Sequence, residues 1–355
     1  MSGIFRKCAS LLLAAVMLVA VNAGPASAEQ KTSFKVCWSI YVGWMPWGYL
    51  QDSGIMKNWA KKYGIDVEIV QINDYVESIN QYTAGGFDGC AMTNMDALTI
   101  PAAGGVDSTA LIAGDFSNGN DGIVVKKGEG VAGLKGQKIN LVELSVSHYL
   151  LARALEKNGL TEKDVTLVNT SDADIVGAFT GSEEVSAVVT WNPQLSEVAA
   201  APGAVKIFDS SQIPGEIIDL MVVNTQTLAD NPAFGKALTG AWYEVMDKMK
   251  KDPAIRAEMA KAAGTDAAGF EAQLATTRMM YLPGEGVAFA TGPKIRTTMD
   301  AVRKFSAAHG LMGAGGTTED SVGVSFPFGA VLGDPANVKL RFDATYMRLA
   351  ADGKL

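Results

Sequence analysis

The sequence predicts a doubly wound α/β fold with a mainly helical C-terminal third. Nine short apolar runs alternate with helical patterns as far as residue 224, and this alternation is typical of layered α/β proteins. Most of the runs are continuously apolar, as expected for parallel strands covered by helices on both faces. Beyond residue 224 the pattern becomes that of consecutive helices.

The elements follow from apolar periodicity and from capping signals. The predicted strands are residues 34–39, 66–72, 89–93, 110–113, 122–125, 138–142, 164–168, 187–191 and 220–224. The helices between them are predicted at 74–84, 147–158, 172–180 and 193–200. Further helices are predicted at 232–251, 253–263, 266–277, 292–309 and 342–351. Asn231-Pro232 and Asp252-Pro253 mark two helix starts in this tail, and Gly310 marks a helix end.

Residues 1–28 have the pattern of a secretory signal peptide. Arg6 and Lys7 form a basic start, an apolar run covers 11–21, and an Ala-x-Ala signal ends at Ala28. The apolar run is too short to span a bilayer, and no cysteine stands at the cleavage point to carry a lipid. We therefore expect cleavage after Ala28 and export of the mature protein.

Length and composition indicate an exported globular protein of about two domains. The chain has 355 residues, 48% of them hydrophobic and 19% charged, which is ordinary for a folded protein. Its formal net charge is −8 and becomes more negative when the basic leader is removed. An acidic surface argues against nucleic acid and anionic lipid as partners.

Patterns typical of enzymes and metal sites are largely missing from the sequence. No Gly-x-Ser-x-Gly, P-loop or strand-linked Gly-x-Gly-x-x-Gly motif is present. Cys37, Cys90, His148 and His309 are too widely spaced for a zinc site. The two cysteines fall in strands that could be neighbours, so they are either buried thiols or, less commonly, a disulfide. We expect no catalytic residue, cofactor or metal, and we interpret His148 as structural.

Two crossings between domains are predicted. The segment 115–121 is dense in turn residues and is the best candidate for the first crossing, and a return near 218–223 would match it. The corresponding division assigns 29–119 plus 222–355 to a first lobe and 120–221 to a second.

An aromatic loop follows the first predicted strand. Three of the six tryptophans fall within residues 38–47, and Pro46 occupies a first-turn position of the next helix. Ligands of open α/β sheets bind outside the carboxyl ends of strands, so Trp44 and Trp47, with Tyr41 at the rim, are candidates for a binding wall. Core packing is the alternative for each ring, and Trp38, inside the strand, fits the core better.

Polar and acidic residues stand at the ends of several other strands, together with a further tryptophan. These candidates are Thr93, Asn94, Asp96, Asp115, Glu143, Trp191, Glu216 and Asp219. Helix capping is the alternative explanation for Asp96, whereas Glu143 ends an apolar strand, where an unpaired carboxylate is costly. The loops contain no arginine and few lysines, so they suit a cation or a neutral amide better than an anion.

Three motifs resemble a known family. Residues 133–139, GLKGQKI, are similar to the L-K-G-K-x-I signature of periplasmic solute-binding proteins of nitrate/sulfonate/taurine-type ABC transporters. Residues 147–151, SHYLL, with 159–160 and 164–165 resemble the helix and strand that follow it, and 85–89, GGFDG, resembles its G-x-x-D motif. The resemblance covers roughly residues 34–223. It implies the two-lobed type II periplasmic binding protein fold, with two hinge crossovers and ligand in the cleft.

The resemblance also implies delivery of a small molecule to an ABC permease and its ATPase, by a protein expected to be a monomer. Glu143 stands where sulfonate binders usually have a small residue, and in this respect the chain looks more like the subgroup associated with urea carboxylase and guanidine metabolism. We therefore expect guanidinium as the ligand, held by carboxylates and tryptophan faces and trapped by hinge closure. Urea, or a sulfonate such as taurine, is the alternative ligand, and a pyrimidine-precursor synthase-like enzyme is the alternative class.

Overall fold

The structure, a computed structural model, describes residues 31–128, 130–313 and 318–355. The predicted signal peptide lies outside these residues. Within them the chain forms fourteen strands and fourteen α-helices, arranged around two separate sheets.

The strands in chain order are β1 (Ser33–Trp38), β2 (Asp66–Gln71), β3 (Gly89–Thr93), β4 (Ser108–Ser117), β5 (Asp121–Val125), β6 (Lys138–Leu141), β7 (Thr166–Asn169), β8 (Ala187–Trp191), β9 (Val205–Asp209), β10 (Ile218–Asn224), β11 (Thr277–Met279), β12 (Gly323–Ser325), β13 (Val331–Leu332) and β14 (Val338–Phe342).

The helices in chain order are α1 (Met45–Asp52), α2 (Ile55–Lys62), α3 (Tyr75–Thr83), α4 (Asn94–Ala97), α5 (Val146–Lys157), α6 (Ile175–Gly181), α7 (Gln194–Ala199), α8 (Thr225–Asp230), α9 (Pro232–Lys251), α10 (Pro253–Ala262), α11 (Ala267–Leu274), α12 (Pro283–Thr291), α13 (Pro293–Ala308) and α14 (Thr345–Ala351).

The larger sheet has nine strands in the order β13-β12-β14-β4-β10-β3-β1-β2, with β11 paired to β4. Strands β1, β2 and β3 are parallel, whereas β10 runs antiparallel to both β3 and β4. One edge of this sheet therefore carries the carboxyl ends of β1 to β4 together with the start of β10.

The smaller sheet has five strands in the order β7-β6-β8-β5-β9. Strands β6, β7 and β8 are parallel, and β5 runs antiparallel to β8 and β9. The start of β5 therefore lies beside the carboxyl end of β8. The chain passes from the larger to the smaller sheet between β4 and β5, and it returns between β9 and β10. The division into two lobes at 119/120 and 221/222 stays a prediction; β10 lies wholly in the larger sheet.

Local sequence signals explain the main helices. Asn231-Pro232 starts α9 and Asp252-Pro253 starts α10, where the proline needs no backbone partner and Asp252 accepts a bond from the Ala254 amide. Helix α9 is the longest and buries the face that includes Phe234 and Trp242 against the larger sheet. Pro46 falls in the first turn of α1, as the sequence indicates.

The predicted α/β class and all nine predicted strands are confirmed, two of them with identical bounds. The mainly helical character of the tail is confirmed, but the strands β11 to β14, which were not predicted, also form there. Residues 342–351 are not one helix; β14 ends at Phe342 and α14 begins at Thr345. These strands are two to five residues long and add to a sheet edge, so tertiary pairing, not local propensity, decides them.

Cys37 and Cys90 are directly paired in the register of β1 and β3, as neighbouring strands. Both are buried free thiols, and the Cys37 thiol donates to the Ser78 carbonyl oxygen at 3.3 Å. Of the two alternatives from the sequence, buried thiols or a disulfide, the structure has the buried thiols. Across residues 31–128, 130–313 and 318–355, no helix combines the length and apolar character needed to cross a bilayer.

Candidate functional site

A small cavity lies where the two sheet edges meet. The space open to the centre of a water-sized sphere is about 10 Å³, roughly what one water molecule needs, so the two halves lie close together around it. The larger sheet and its loops contribute Tyr41, Trp44, Tyr75, Thr93, Ile217 and Asp219, and the smaller sheet and its loops contribute Asp121, Val146 and Trp191. A molecule held here would be small and in contact with both halves of the chain.

Strand ends of the larger sheet place the first group of side chains. Tyr41 and Trp44 follow β1 on the loop into α1, and Tyr75 is the first residue of α3, whose start is capped by Asp74. Thr93 ends β3 and caps α4 by accepting a bond from the Asp96 amide. These positions match the general location of ligand sites in open α/β sheets.

Strand register places the acidic residues. Asp219 stands opposite Thr93 in the β10–β3 pair and opposite Asp115 in the β10–β4 pair. Asp121, the first residue of β5, stands opposite Trp191, the last residue of β8. Each sheet therefore brings a carboxylate and its neighbours to the edge that faces the cavity.

Four aromatic rings form a continuous wall. The ring centroids of Tyr41 and Trp44 are 5.1 Å apart, those of Trp44 and Tyr75 are 5.6 Å apart, and those of Tyr75 and Trp191 are 5.4 Å apart. The first and last pairs meet edge to face, a favourable aromatic geometry. The Trp191 indole N–H donates to the Ile40 carbonyl oxygen at 3.1 Å, which ties this wall across the two halves.

Asp96 anchors the wall from behind. Its Oδ2 accepts from the Tyr75 hydroxyl at 2.5 Å, from the Thr93 hydroxyl at 2.9 Å and from the Val146 amide at 3.3 Å. Its Oδ1 is buried without a partner. Burial raises the pKa of Asp96 to about 6, although these hydrogen bonds oppose the shift. Asp96 is thus a buried acid whose charge is only partly compensated.

Asp115 and Asp219 form a buried pair of carboxyl groups. The Tyr41 hydroxyl donates to Asp115 Oδ1 at 2.9 Å, whereas Oδ2 of each aspartate is buried without a partner. Burial raises the pKa of Asp115 to about 6, and burial with the neighbouring charge of Asp115 raises the pKa of Asp219 well above its usual range. Gly43 permits this packing, because a Cβ there would lie 2.6 Å from Asp115 Oδ2.

Asp121 completes the acidic cluster. The Ser117 hydroxyl donates to its Oδ2 at 2.5 Å. Burial raises its pKa to about 7, and the charges of Asp115 and Asp96 add to the effect. Among the described residues, no lysine or arginine lines the cavity or lowers the pKa of any of the four aspartates. The site is therefore acidic, and no lysine or arginine among the described residues lies in its lining.

Most of the residues singled out in the sequence meet at this place. Tyr41, Trp44, Thr93, Trp191 and Asp219 line the cavity. Asp96 and Asp115 lie directly behind the lining and bond to it. Their contact with ligand stays a prediction.

Four other candidates lie elsewhere. Trp47 is buried in the core, stacked on Trp242 with centroids 4.5 Å apart. The Asn94 side chain accepts from the Ile218 amide at 2.9 Å, and Glu216 pairs with Arg153 at 2.9 Å. The side chain of Glu143 is exposed instead of buried. Local packing explains each position. Trp47 stacks in the core, the Asn94 amide holds the loop before β10, Glu216 forms an ion pair, and Glu143 lies on a turn that is open to solvent.

Tyr75, Asp121, Val146 and Ile217 line the cavity but are not among the candidates from the sequence. A signal for two of them was present. Tyr75 comes directly after a capping aspartate at the end of a strand, and Asp121 ends the turn-rich crossing segment. Nothing in the sequence marks Val146 or Ile217, whose side chains are apolar. Over the three described ranges, no cluster of histidine, cysteine, aspartate or glutamate has the arrangement of a metal site.

The family follows from a sequence profile. The profile of the family described as NMT1/THI5 like matches residues 54–255, more than half of the chain. The chain belongs to the NMT1/THI5-like family. Curated relatives are more distant: proteins of Brucella abortus (strain 2308) and Brucella suis biovar 1, both provisionally named as binding proteins, are each 25% identical over 197 residues. The alignment covers 54% of this chain and 60% of the length of each relative.

Solved structures of similar fold extend over most of this NMT1/THI5-like chain. The alkanesulfonate-binding protein SsuA from Xanthomonas axonopodis pv. citri, bound to MOPS, has a TM-score of 0.66 at 17% identity and covers 83% of this chain and 99% of its own. The periplasmic aliphatic sulphonate binding protein SsuA from Escherichia coli has a TM-score of 0.62 at 18% identity, with coverage of 80% and 95%. The periplasmic nitrate-binding protein NrtA from Synechocystis PCC 6803 has a TM-score of 0.58 at 12% identity, with coverage of 92% and 99%.

These similarities confirm the predicted fold class. The chain has the type II periplasmic binding protein fold, with two sheets as in SsuA and NrtA. At these identities the likeness extends to fold alone, so the ligand has to be inferred from the chemistry of the cavity.

Proposed function

We propose that this protein is the periplasmic solute-binding component of an ABC importer and that it captures a small nitrogen-rich cation, guanidinium. The observation that carries the proposal is the cluster of Asp96, Asp115, Asp121 and Asp219 around a small aromatic cavity whose described lining contains no lysine or arginine. Four buried carboxyl groups are costly unless they find a positive partner.

The acidic lining of the cavity favours a cation such as guanidinium over the anions that SsuA and NrtA bind. A sulfonate or nitrate in this cavity would face the carboxylates of Asp121 and Asp219 with no arginine to offset the repulsion. The shared fold does not require a shared ligand, because function resides in the site and not in the fold.

The unpartnered oxygens of the aspartates favour cations that can donate hydrogen bonds. Oδ2 of Asp115 and Oδ2 of Asp219 are buried without a donor from another residue, and N–H groups of a ligand would replace the proton that the pair shares. Guanidinium has six such hydrogens in one plane, whereas a quaternary ammonium has none. Urea offers N–H donors but no charge, so it would leave the carboxylates uncompensated and bind more weakly.

The aromatic wall supports a planar cation. Trp44 and Tyr75 come from the larger sheet and Trp191 from the smaller one. The centroid of the Tyr75 ring lies 5.6 Å from that of Trp44 and 5.4 Å from that of Trp191. A cation in contact with these rings gains cation–π energy, which reaches about 2 kcal/mol when the site is desolvated. Hydrogen bonds in the plane of guanidinium and ring contacts on its faces can be made at the same time.

Hinge closure is the proposed mechanism of capture. The wall joins both halves through the Trp191–Ile40 bond and through the Val42 amide, which donates to the Asn192 carbonyl oxygen at 3.3 Å. Opening at the two crossings would break these bonds and admit ligand, and closure would exclude water. The closed form would then dock on the permease, whose ATPase drives import.

A thermal-shift screen of the protein lacking residues 1–28 tests the ligand class. We expect guanidinium to raise the melting temperature at millimolar concentration and urea to raise it less. Taurine and tetramethylammonium should have no effect. Stabilisation by taurine without stabilisation by guanidinium would contradict the cationic ligand, and conversion of a pyrimidine precursor by the isolated protein would support an enzyme instead.

A further inference from the structure

The chain contains two histidines, and both bind the same carboxylate. His148 Nε2 lies 2.9 Å from Glu162 Oε1, and His309 Nδ1 lies 2.5 Å from Glu162 Oε2. Each carboxylate oxygen therefore has its own imidazole. We refer to His148, Glu162 and His309 as the histidine clasp.

The histidine clasp connects the two halves of the molecule. His148 lies on α5, which packs on β5 and β8 of the smaller sheet, and Glu162 lies five residues beyond the end of α5. His309 comes directly after α13, which packs against α4 at the edge of the larger sheet. The bond between Glu162 and His309 thus joins the part of the chain packed on the smaller sheet to the part packed on the larger one.

Hydrogen bonding defines the role of each ring. The Leu144 amide donates to His148 Nδ1 at 3.2 Å, so this nitrogen is an acceptor and His148 donates to Glu162 from Nε2. His309 donates to the other oxygen from Nδ1, and its ring stacks on Phe305 at 3.9 Å. Burial raises the pKa of Glu162, but the bonds from both histidines outweigh burial and lower it below its usual value.

Further charged groups surround the clasp. Arg153 on α5 pairs with Glu216 and with Glu156, and it also lies over the Phe305 ring, 5.5 Å from the centroid. The Tyr149 hydroxyl donates to Glu216 at 2.7 Å. Two carboxylates therefore pair with this arginine, whereas Glu162 pairs with the two histidines.

We propose that the histidine clasp is a proton-dependent latch that favours the closed arrangement of the two halves at mildly acidic pH. It rests on the hinge closure of the proposed function but not on the identity of the ligand. Histidine changes charge between about pH 5 and pH 8. A positive charge on the imidazole adds a Coulomb attraction to the Glu162 carboxylate that a neutral imidazole lacks. Of the two bonds to Glu162, the one from His309 joins the two halves, so His309 is the residue to substitute.

Small-angle X-ray scattering of the ligand-free protein lacking residues 1–28 tests the latch. We expect the closed population to be at least about threefold larger at pH 5.5 than at pH 8. In His309→Gln, which keeps a donor but loses the charge, the dimensions should depend less on pH than in the wild type, because only the aspartates of the cavity then contribute in this range. Lys304→Gln on the same helix, whose ion pair with Asp300 is exposed, is the matched control and should behave as the wild type.

An unchanged pH response in His309→Gln, or no pH response in the wild type, would overturn the latch. The test separates this inference from the choice of ligand. Compaction at acidic pH in a protein that fails to bind guanidinium would support the latch and remove the ligand assignment. Dimensions that respond neither to pH nor to any ligand would contradict hinge closure and the latch with it.

Discussion

Asp219 and Asp115 stand directly opposite each other on the antiparallel strands β10 and β4, buried and with one unpartnered oxygen each. Two neighbouring carboxyl groups in a low-dielectric site cannot both ionise without a large cost in free energy. Burial and the neighbouring carboxyl group raise the pKa of this pair, so we expect it to share a proton without ligand and a bound cation to replace that proton. The protonation of this pair therefore affects both the affinity for a cation and the stability of the ligand-free protein.

Removal of one carboxylate from the cavity should remove most of the affinity. In Asp219→Asn, we expect the Kd for guanidinium to rise about 100-fold, because a charge-assisted hydrogen bond of about 2.7 kcal/mol is lost. Isothermal titration calorimetry measures this change. Glu143→Gln is the matched control: its carboxylate is exposed outside the cavity, so its affinity should stay at the wild-type value, and a large loss there would place Glu143 in the site.

Binding of guanidinium should release protons. The pKa values of Asp96, Asp115 and Asp121 are raised to about 6, 6 and 7, so a cation competes with protons near neutral pH. Affinity should therefore increase between pH 5 and pH 8. Calorimetry in buffers of different ionisation enthalpy counts the protons, and a binding heat that is independent of the buffer at pH 6.5 would contradict the prediction.

The ligand-free protein should lose stability as the pH rises. A carboxyl group whose pKa is raised on folding stabilises the folded state fully below its unfolded value, near 3.8, and this stabilisation is lost as the pH passes its folded value. For Asp96, Asp115 and Asp121 this window runs from about pH 4 to about pH 7. Thermal unfolding should show a higher melting temperature at pH 5.5 than at pH 8, and Asp121→Asn should reduce the difference.

Two tryptophans of the same loop should respond differently to substitution. Trp44→Leu removes a ring of the cavity wall and should weaken guanidinium binding about 30-fold, by the loss of about 2 kcal/mol of cation–π energy. Trp47→Leu removes a core ring stacked on Trp242 and should lower the free energy of unfolding by about 3 kcal/mol. Its affinity, measured well below its melting temperature, should change little. If Trp47→Leu weakened guanidinium binding and Trp44→Leu did not, the cavity would not be the binding site.

Much of the fold was predictable because it depends on local patterns. Strand β3, strand β8 and helix α9 have the predicted bounds, since apolar runs and an Asn-Pro cap define them. The tail strands were not predictable, because β12 and β13 are two or three residues long and exist only through pairing at a sheet edge.

The candidate site was predictable in its general position but not in its details. The carboxyl ends of strands identify Tyr41, Thr93 and Trp191, whereas the depth of each side chain depends on packing. Trp44 and Trp47 are three residues apart at the start of α1, yet one lines the cavity and the other stacks in the core. Asp121 needed the register of β5 against β8, which no local pattern contains.

The central claim is that this cavity binds a small cation carrying N–H groups. Calorimetric titration of the protein lacking residues 1–28, at pH 7.5, with guanidinium and then with taurine tests it most directly. We predict a saturable heat with guanidinium at a stoichiometry of about one, reduced about 100-fold in affinity by Asp219→Asn, and no binding of taurine. Saturable binding of taurine, with none of guanidinium, would contradict the account.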